Sequence, residues 1–171
     1  MKFDPKYKPE LCASKDETRP NMCHVELDVK EKRMVATNGH CMVVVPVTVE
    51  EHDTSGPISK DALVAARKLA KNTNGDACIK ANGSLAVHGA TFDRPEARQF
   101  PPVDQVIPPD RKATISFSAK YLKEIADALG SKDGVVTLAI DGDCDAITVW
   151  SGISKGAKGD PFAVLMPCRM K

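Results

Sequence analysis

Hydrophobic and polar positions alternate from Cys23 to Lys30, with Cys23, Val25, Leu27 and Val29 set between His24, Glu26, Asp28 and Lys30. A period of two predicts a strand with one buried face, and it sends His24 toward solvent. "KEKR" (Lys30 to Arg33) turns the chain, Met34 to Thr37 pairs back, and His40 to Val47 extends an antiparallel meander. Between the last two runs stands Asn38-Gly39. Both positions tolerate positive φ, so the pair predicts a tight type I′ turn. Residues 1–21 carry Pro5, Pro9 and Pro20 among many charges, with only "ELCAS" able to start a helical turn, and read as an irregular lead-in.

The period then changes. In "GPISKDALVAARKLAKNTNG" Ser59 is a good N-cap, Asp61 places negative charge at the positive end of the helix dipole, and Gly75 lies where a glycine helps the chain to stop. At 100° per residue Leu63, Ala66, Leu69 and Ala70 share one side, while Lys60, Arg67 and Lys71 share the other with Lys68 beside them. The helix has an apolar back and a basic front. Two short strands, "DACIKA" and "SLAVHG", follow around Asn82-Gly83. "RPEARQFPPVDQVIPPDR" places five prolines between Pro95 and Pro109, too few amide donors for the middle of a sheet, and reads as a connector over 95–112.

Beyond the connector the same order returns over 113–171. "ATISFS" is a strand, Ser118 caps a helix from about Ala119 to Leu129, Gly130 stops it, and "VVTLAI" and "AITVW" are strands around "DGDCD". This second helix turns Leu122, Ile125, Ala126 and Leu129 inward and Lys120, Lys123, Glu124 and Asp127 outward. A Gly/Lys loop leads to a last strand, "FAVLMPCRM". The chain is one unit written twice, with a first half over 22–94. The expected fold class is α+β, a single domain in which two helices pack on antiparallel sheets.

Composition narrows the function classes. At 171 residues and 42% hydrophobic, the chain can bury a core without staples. Lys and Arg total 24 against 23 Asp and Glu, a formal net charge of +1, so any nucleic-acid surface must be local. Cys12, Cys23, Cys41, Cys78, Cys144 and Cys168 are scattered and follow no signal peptide, which predicts reduced thiols and a cytoplasmic protein. The longest apolar run, Met42 to Val49, falls far short of the roughly 20 residues of a membrane helix.

Candidate chemistry is sparse. His40 beside Cys41 invites a nucleophile and base, but neighbours on a strand point to opposite faces and cannot share a proton. Asp141, Asp143 and Asp145 mimic the start of a calcium loop, yet Ala146 stands where glycine is needed and Gly152 where glutamate is needed. No CxxC or HxxxH supports structural zinc. No catalytic residue, metal or cofactor is predicted.

"VATNGH" after an antiparallel strand, "QFPPVDQVIP" in the connector and a terminal "VLMPCRM" resemble, in order, three signatures of the bacterial sliding clamp, the β subunit of the replicative DNA polymerase. "DETRPNMCHVELDV" is similar to the strand that precedes the first signature. The resemblance implies a clamp-like module of about one clamp domain, where a clamp chain has three. Ring closure would then take about six copies through head-to-tail contacts. It also implies a hydrophobic pocket for short peptides of DNA polymerases, clamp loaders and repair proteins. Thr37, Gly39, His40 and Met42 would form one wall, Pro101 and Val106 the floor, and Val164, Met166, Pro167 and Arg169 the other wall. Cys41 and Gln105 stand where the family commonly has arginine. Lys60, Arg67, Lys68 and Lys71, with Lys120 and Lys123, would face double-stranded DNA without sequence preference. The favoured reading is a nonenzymatic processivity factor that self-associates. The alternatives are a monomeric adaptor or decoy of phage or mobile-element type, and a hydrolase using Cys41 or another thiol.

Overall fold

The computed structural model describes residues 1–108, 114–131, 134–140, 142, 145–153, 156–157 and 159–168. The chain divides into two units, Met1–Ile107 and Pro108–Lys171, and the division falls inside the proline-rich segment.

In the first unit the alternating segment becomes β2 (Val25–Asp28), which pairs antiparallel with β3 (Arg33–Thr37) on one side and β5 (Gly56–Ile58) on the other. β4 (Met42–Pro46) completes a sheet of order β4-β3-β2-β5. Val25 and Leu27 are buried as the alternation requires. His24 is not at the surface: it is 6% exposed, its ring tilted against Phe100 at 6.1 Å between centroids and its Nε2 3.3 Å from Glu26 Oε2. The proline-rich segment covers it, which local alternation could not reveal.

After β5 the chain enters α1 (Lys60–Thr73), where Ser59 Oγ accepts from the Ala62 amide at 3.4 Å. Asn74, not Gly75, takes the left-handed conformation that ends the helix, at φ 51°. Ala62, Leu63, Ala66 and Ala70 are buried, whereas Leu69 is 37% exposed. "DACIKA" splits into β6 (Ala77–Cys78) and β7 (Lys80–Ala81), because two partners compete for it. β6 pairs with β1 (Lys2–Phe3), and β7 joins β8 (Leu85–Val87) and β9 (Ala90–Phe92) in a three-stranded sheet.

The lead-in is therefore structural. Met1 and Phe3 belong to the same core as Leu27, Met34, Ile58, Leu63 and Leu85. The Met1 ammonium lies 2.7 Å from Asp53 Oδ2 and donates to the Ile79 carbonyl. Short 3₁₀ turns occupy Pro9–Leu11 and Pro20–Met22. The connector also holds regular structure, a single turn α2 (Val103–Val106).

The second unit holds α3 (Ala119–Ala128), capped by Ser118 and followed by Gly130 at φ +65°, and a three-stranded antiparallel sheet. Its strands are β10 (Val136–Ala139), β11 (Ile147–Ser151) and β12 (Phe162–Leu165), with β11 central. The strand expected at "ATISFS" does not form over the described Thr114–Ser118. Ile115 and Phe117 still pack on the core, and the Ser116 carbonyl accepts from the Cys168 amide, so the apolar pattern is satisfied without a ladder. Ile147, Val149 and Leu165 form the buried centre, with Leu122, Ile125 and Leu129 packed against it. Asp141 and Asp143 of the rejected calcium loop lie outside the described residues.

Candidate functional site

The loop between β3 and β4 is built by one side chain. Asn38 Oδ1 accepts from the amides of His40 (2.9 Å) and Cys41 (3.0 Å), an Asx turn that holds four residues where the sequence suggested a two-residue type I′ turn. Asn38 is not at positive φ; Gly39 alone is, at +87°. Thr37 Oγ1 donates to the Cys41 carbonyl at 2.8 Å and accepts from the Gly39 amide at 3.1 Å. A side chain at Gly39 would be strained by φ and would meet the Arg19 guanidinium at 3.4 Å. His40 and Cys41 thus sit in a loop rather than on a strand, so strand alternation does not separate them.

Thr37, Gly39, His40, Cys41 and Met42 line a cavity of about 200 Å³ with Met22, Pro101 and Val106. Six residues predicted for the first wall and the floor are brought together, although 59 positions of chain separate Met42 from Pro101. Sequence reasoning missed Met22, which the turn at Pro20–Met22 delivers. The cavity suits a single apolar anchor.

A set of hydrogen bonds fixes the floor. Arg33, on β3, grips Asp104 of α2 with two parallel bonds of 2.7 and 2.9 Å, and its Nε donates to Asp28 at 3.2 Å. Asp104 holds the Arg33 guanidinium above its ordinary pKa, and Arg33 holds the Asp104 carboxyl below the usual carboxylate range. Upstream, Arg94 donates to the Pro57 carbonyl (3.1 Å) and to Thr54 Oγ1 and its carbonyl (2.7 Å each). A Cβ at Gly56 would lie 3.0 Å from that guanidinium. The segment from Arg94 to Val106 is bolted to the sheet by cations that read, in sequence, as scattered charges.

The predicted second wall belongs to the second unit. Val164 and Met166 border an apolar groove of about 470 Å³ with Tyr121, Ile125, Ala128 and Leu165. Val164 is 53% and Met166 67% exposed. Pro167 is partly buried, and Arg169 lies outside the described residues. A larger cavity, about 660 Å³ between α1 and β8, contains none of the signature residues; Leu69, Ala86 and Val87 line it together with Asp76, Lys80 and His88.

Among the proposed DNA-facing cations, Arg67 is overturned. It is 8% exposed and forms a bidentate pair with Glu10 of the lead-in. Its helical angle is that of the basic face, but a carboxylate 57 positions away draws it inward. Lys60, Lys68 and Lys71 are exposed. Lys120 and Lys123 are exposed too, each beside a carboxylate one turn on: Glu124 at 3.8 Å and Asp127 at 2.6 Å. Among the described residues, no group of three or more His, Cys, Asp or Glu is placed to hold a metal, and no helix is long and apolar enough to cross a membrane.

No protein-family model matches this sequence, and no curated protein matches it. Solved structures do. The chain is similar to the DNA polymerase III β subunit of Thermotoga maritima with a TM-score of 0.65 at 19% identity, covering 98% of this chain and 50% of that one. The β chain of Streptococcus pneumoniae gives 0.67 at 16% identity, over 99% and 49%. The sliding clamp of Bacillus subtilis gives 0.64 at 17%, over 98% and 48%. The fold is that of the bacterial sliding clamp. The identities are 16–19%, and the chain spans about half the length of those clamps. The motif resemblance and the fold agree.

Proposed function

We propose that this chain is a sliding clamp-like processivity factor, without catalytic activity, that captures short hydrophobic peptides of DNA polymerase, clamp-loader or repair partners. The observation that carries the reading is the cavity at the β3–β4 loop, where three signature stretches of a clamp predict a peptide site and two of them line one apolar hollow. Thr37, Gly39, His40 and Met42 make its wall and Pro101 and Val106 its floor. In the second unit Val164 and Met166 border a separate apolar groove. The pocket needs apolar depth for an anchor and polar groups at the rim, where the exposed His40 stands. Methionines at Met22 and Met42 adapt to different anchors. In this reading the partner docks and no bond is made or broken.

DNA contact is the second part of the proposal and is narrower than the sequence suggested. With Arg67 buried, Lys60, Lys68 and Lys71 remain as the exposed basic stripe of α1, and such contacts are sequence-independent and salt-sensitive. The loss of Arg67 from that stripe favours one alternative, a clamp-derived adaptor that binds partner peptides without encircling DNA.

A fluorescent peptide bearing a hydrophobic clamp-binding motif tests the pocket. Wild type binds it, and a Met42→Ala, Pro101→Ala double variant and a Val106→Asp variant each bind at least about tenfold more weakly. Equal binding by all three proteins ends the pocket reading. Light scattering separates the two forms: a ring shows several times the single-chain mass, the adaptor the mass of one chain.

A further inference from the structure

His24 stands just before β2, where the proline-rich segment covers it. It is 6% exposed, and its ring centroid lies 6.1 Å from that of Phe100, the residue that leads directly into the cavity floor at Pro101. Its Nε2 is 3.3 Å from Glu26 Oε2, and among the described residues neither atom has a hydrogen-bond partner. Buried polar atoms are nearly always satisfied, so two that face each other unsatisfied mark a place where one proton decides the contact. The same segment is held at two flanking points, by Asn21 Nδ2 on the Gln99 carbonyl at 3.3 Å and by Arg33 on Asp104. Glu26, Arg33, Phe100, Pro101 and Asp104 border a hollow of about 270 Å³, room for the segment to shift.

We propose that His24 positions the floor of the peptide cavity through Phe100, and that a proton on His24 tightens that floor. This rests on the reading of the β3–β4 cavity as a peptide site. Histidine is the side chain that exchanges a proton between about pH 5 and 8. Protonated, the imidazole donates to the Glu26 carboxylate as a charge-assisted pair, and the ring is fixed against Phe100. A neutral ring with its lone pair at Nε2 sets two acceptors against each other, and the tautomer with a hydrogen there bridges them without the charge. Glu26 is then left with a weaker partner, and Phe100 rests on a ring that turns more freely.

The charges around the pair come from several elements. On the lead-in, Glu10 is matched by Arg67 of α1, and Lys15 lines one small cavity with His24, Cys23 and Lys60. The Cys23 thiol donates to the Asp16 and Arg19 carbonyls. Arg94, at the start of the segment, lies within electrostatic reach of Glu26 while it donates to Pro57 and Thr54. Asp28, Arg33 and Asp104 share the hollow with Glu26 and are joined to one another, and the ladder neighbours of Glu26, Val35 and Pro57, carry no charge. Asp104 is held below the usual carboxylate range, so its clasp on Arg33 is intact where imidazole changes charge. With His24 protonated an apolar anchor meets a formed floor; with it neutral, part of the binding energy goes to ordering that floor. Peptide affinity therefore falls as pH rises through the titration of His24, and by linkage the binding of peptide takes up protons.

The experiment uses the full chain and a histidine-free fluorescent peptide with a hydrophobic clamp-binding motif, its affinity measured at about pH 6 and about pH 8. Wild type is expected to bind at least about threefold more tightly at the lower pH, and calorimetry in buffers of different ionisation enthalpy to show net proton uptake. His24→Gln and Glu26→Gln are each expected to bind equally at both, and either one suffices if the other fails to fold. Phe100→Leu is expected to lose the pH dependence while the His24 ring resonances still titrate, which separates positioning through Phe100 from a direct effect on the peptide. His40→Gln, which alters the rim, is expected to keep the ratio. Equal affinity of wild type at the two pH values, or a ratio that persists in His24→Gln and vanishes in His40→Gln, overturns the proposal. If no peptide binds at either pH, the proposed function fails, and amide exchange over 103–106 decides on His24. Protection that falls at the higher pH in wild type and not in His24→Gln then keeps the positioning role, and equal protection removes it.

Discussion

α1 and α3 begin alike, each with a serine whose hydroxyl accepts from the third residue on, Ser59 from Ala62 and Ser118 from Tyr121. They are buried very differently. α1 sinks Ala62, Leu63, Ala66, Arg67 and Ala70 below the surface, whereas no described residue of α3 is fully buried. The difference lies in what each helix meets. The first unit adds strands from separate sheets and the lead-in to its core, while the second offers three strands and leaves Tyr121, Phe162, Val164 and Met166 exposed. A repeated pattern sets where a helix starts and stops; the surrounding chain sets how much of it is covered.

The largest effect that tests this contrast is at Arg67. Arg67→Ala strands Glu10 as a buried, unpaired carboxylate and is expected to lower stability by about 3–5 kcal/mol, read as a fall in urea midpoint. A Glu10→Leu, Arg67→Met double variant recovers most of that. If Arg67→Ala behaves like the exposed Lys123→Ala, the buried pair is not what distinguishes the helices. Next come the apolar faces. Leu63→Ala is expected to cost about 3 kcal/mol and Leu122→Ala about half as much, because Leu122 is only half-buried. The lone tryptophan, Trp150 on β11, reports the second unit by fluorescence, and hydrogen exchange over β2 and β3 reports the first.

The Arg33 and Asp104 pair has no counterpart among the ion pairs described in the second unit. Asp104→Arg is expected to weaken peptide binding about three- to tenfold, and the reciprocal Arg33→Asp, Asp104→Arg variant to restore part of it. Rescue by the exchange separates positioning of the floor from a general loss of fold. Cap removal is smaller: Ser59→Ala and Ser118→Ala are each expected to cost about 0.5–1 kcal/mol, and similar values in the two units show that the starts of the helices are equivalent.

The smallest effect is in acid. Asp53 and Asp104 both belong to the first unit. Burial raises Asp53, but the Met1 ammonium and the amides of Glu50 and Ala81 outweigh it and leave the carboxyl below its ordinary value; Arg33 lowers Asp104. A carboxylate depressed in the folded state stabilises above its unfolded pKa, and that contribution fades as pH falls through 3.8 toward the folded value. Exchange protection in the first unit is expected to decline below about pH 4, less steeply in Asp104→Asn.

Much of the fold was legible because it rests on local pattern. The meander, both serine caps and the Gly130 stop follow from residues within a few positions of one another. What was misread depends on distant partners. His24 was placed outside because nothing near it announces Phe100, and Arg67 because Glu10 is 57 positions away. Asn38-Gly39 gave a turn of the wrong type because the Asn38 side chain, rather than its φ, shapes the loop. At the candidate site, clamp-like signatures supplied the wall and floor, but Met22 and the Arg33 clasp carry no motif.

The Glu10 and Arg67 pair has a practical side. A proline-rich, highly charged opening stretch invites removal when a protein is trimmed for expression. Here, cutting at residue 22 would unplug a guanidinium in the middle of α1 and strip Met1 and Phe3 from the interior. A shortened version would be expected to precipitate or to bind nonspecifically, and such behaviour would be a product of the cut rather than a property of the molecule.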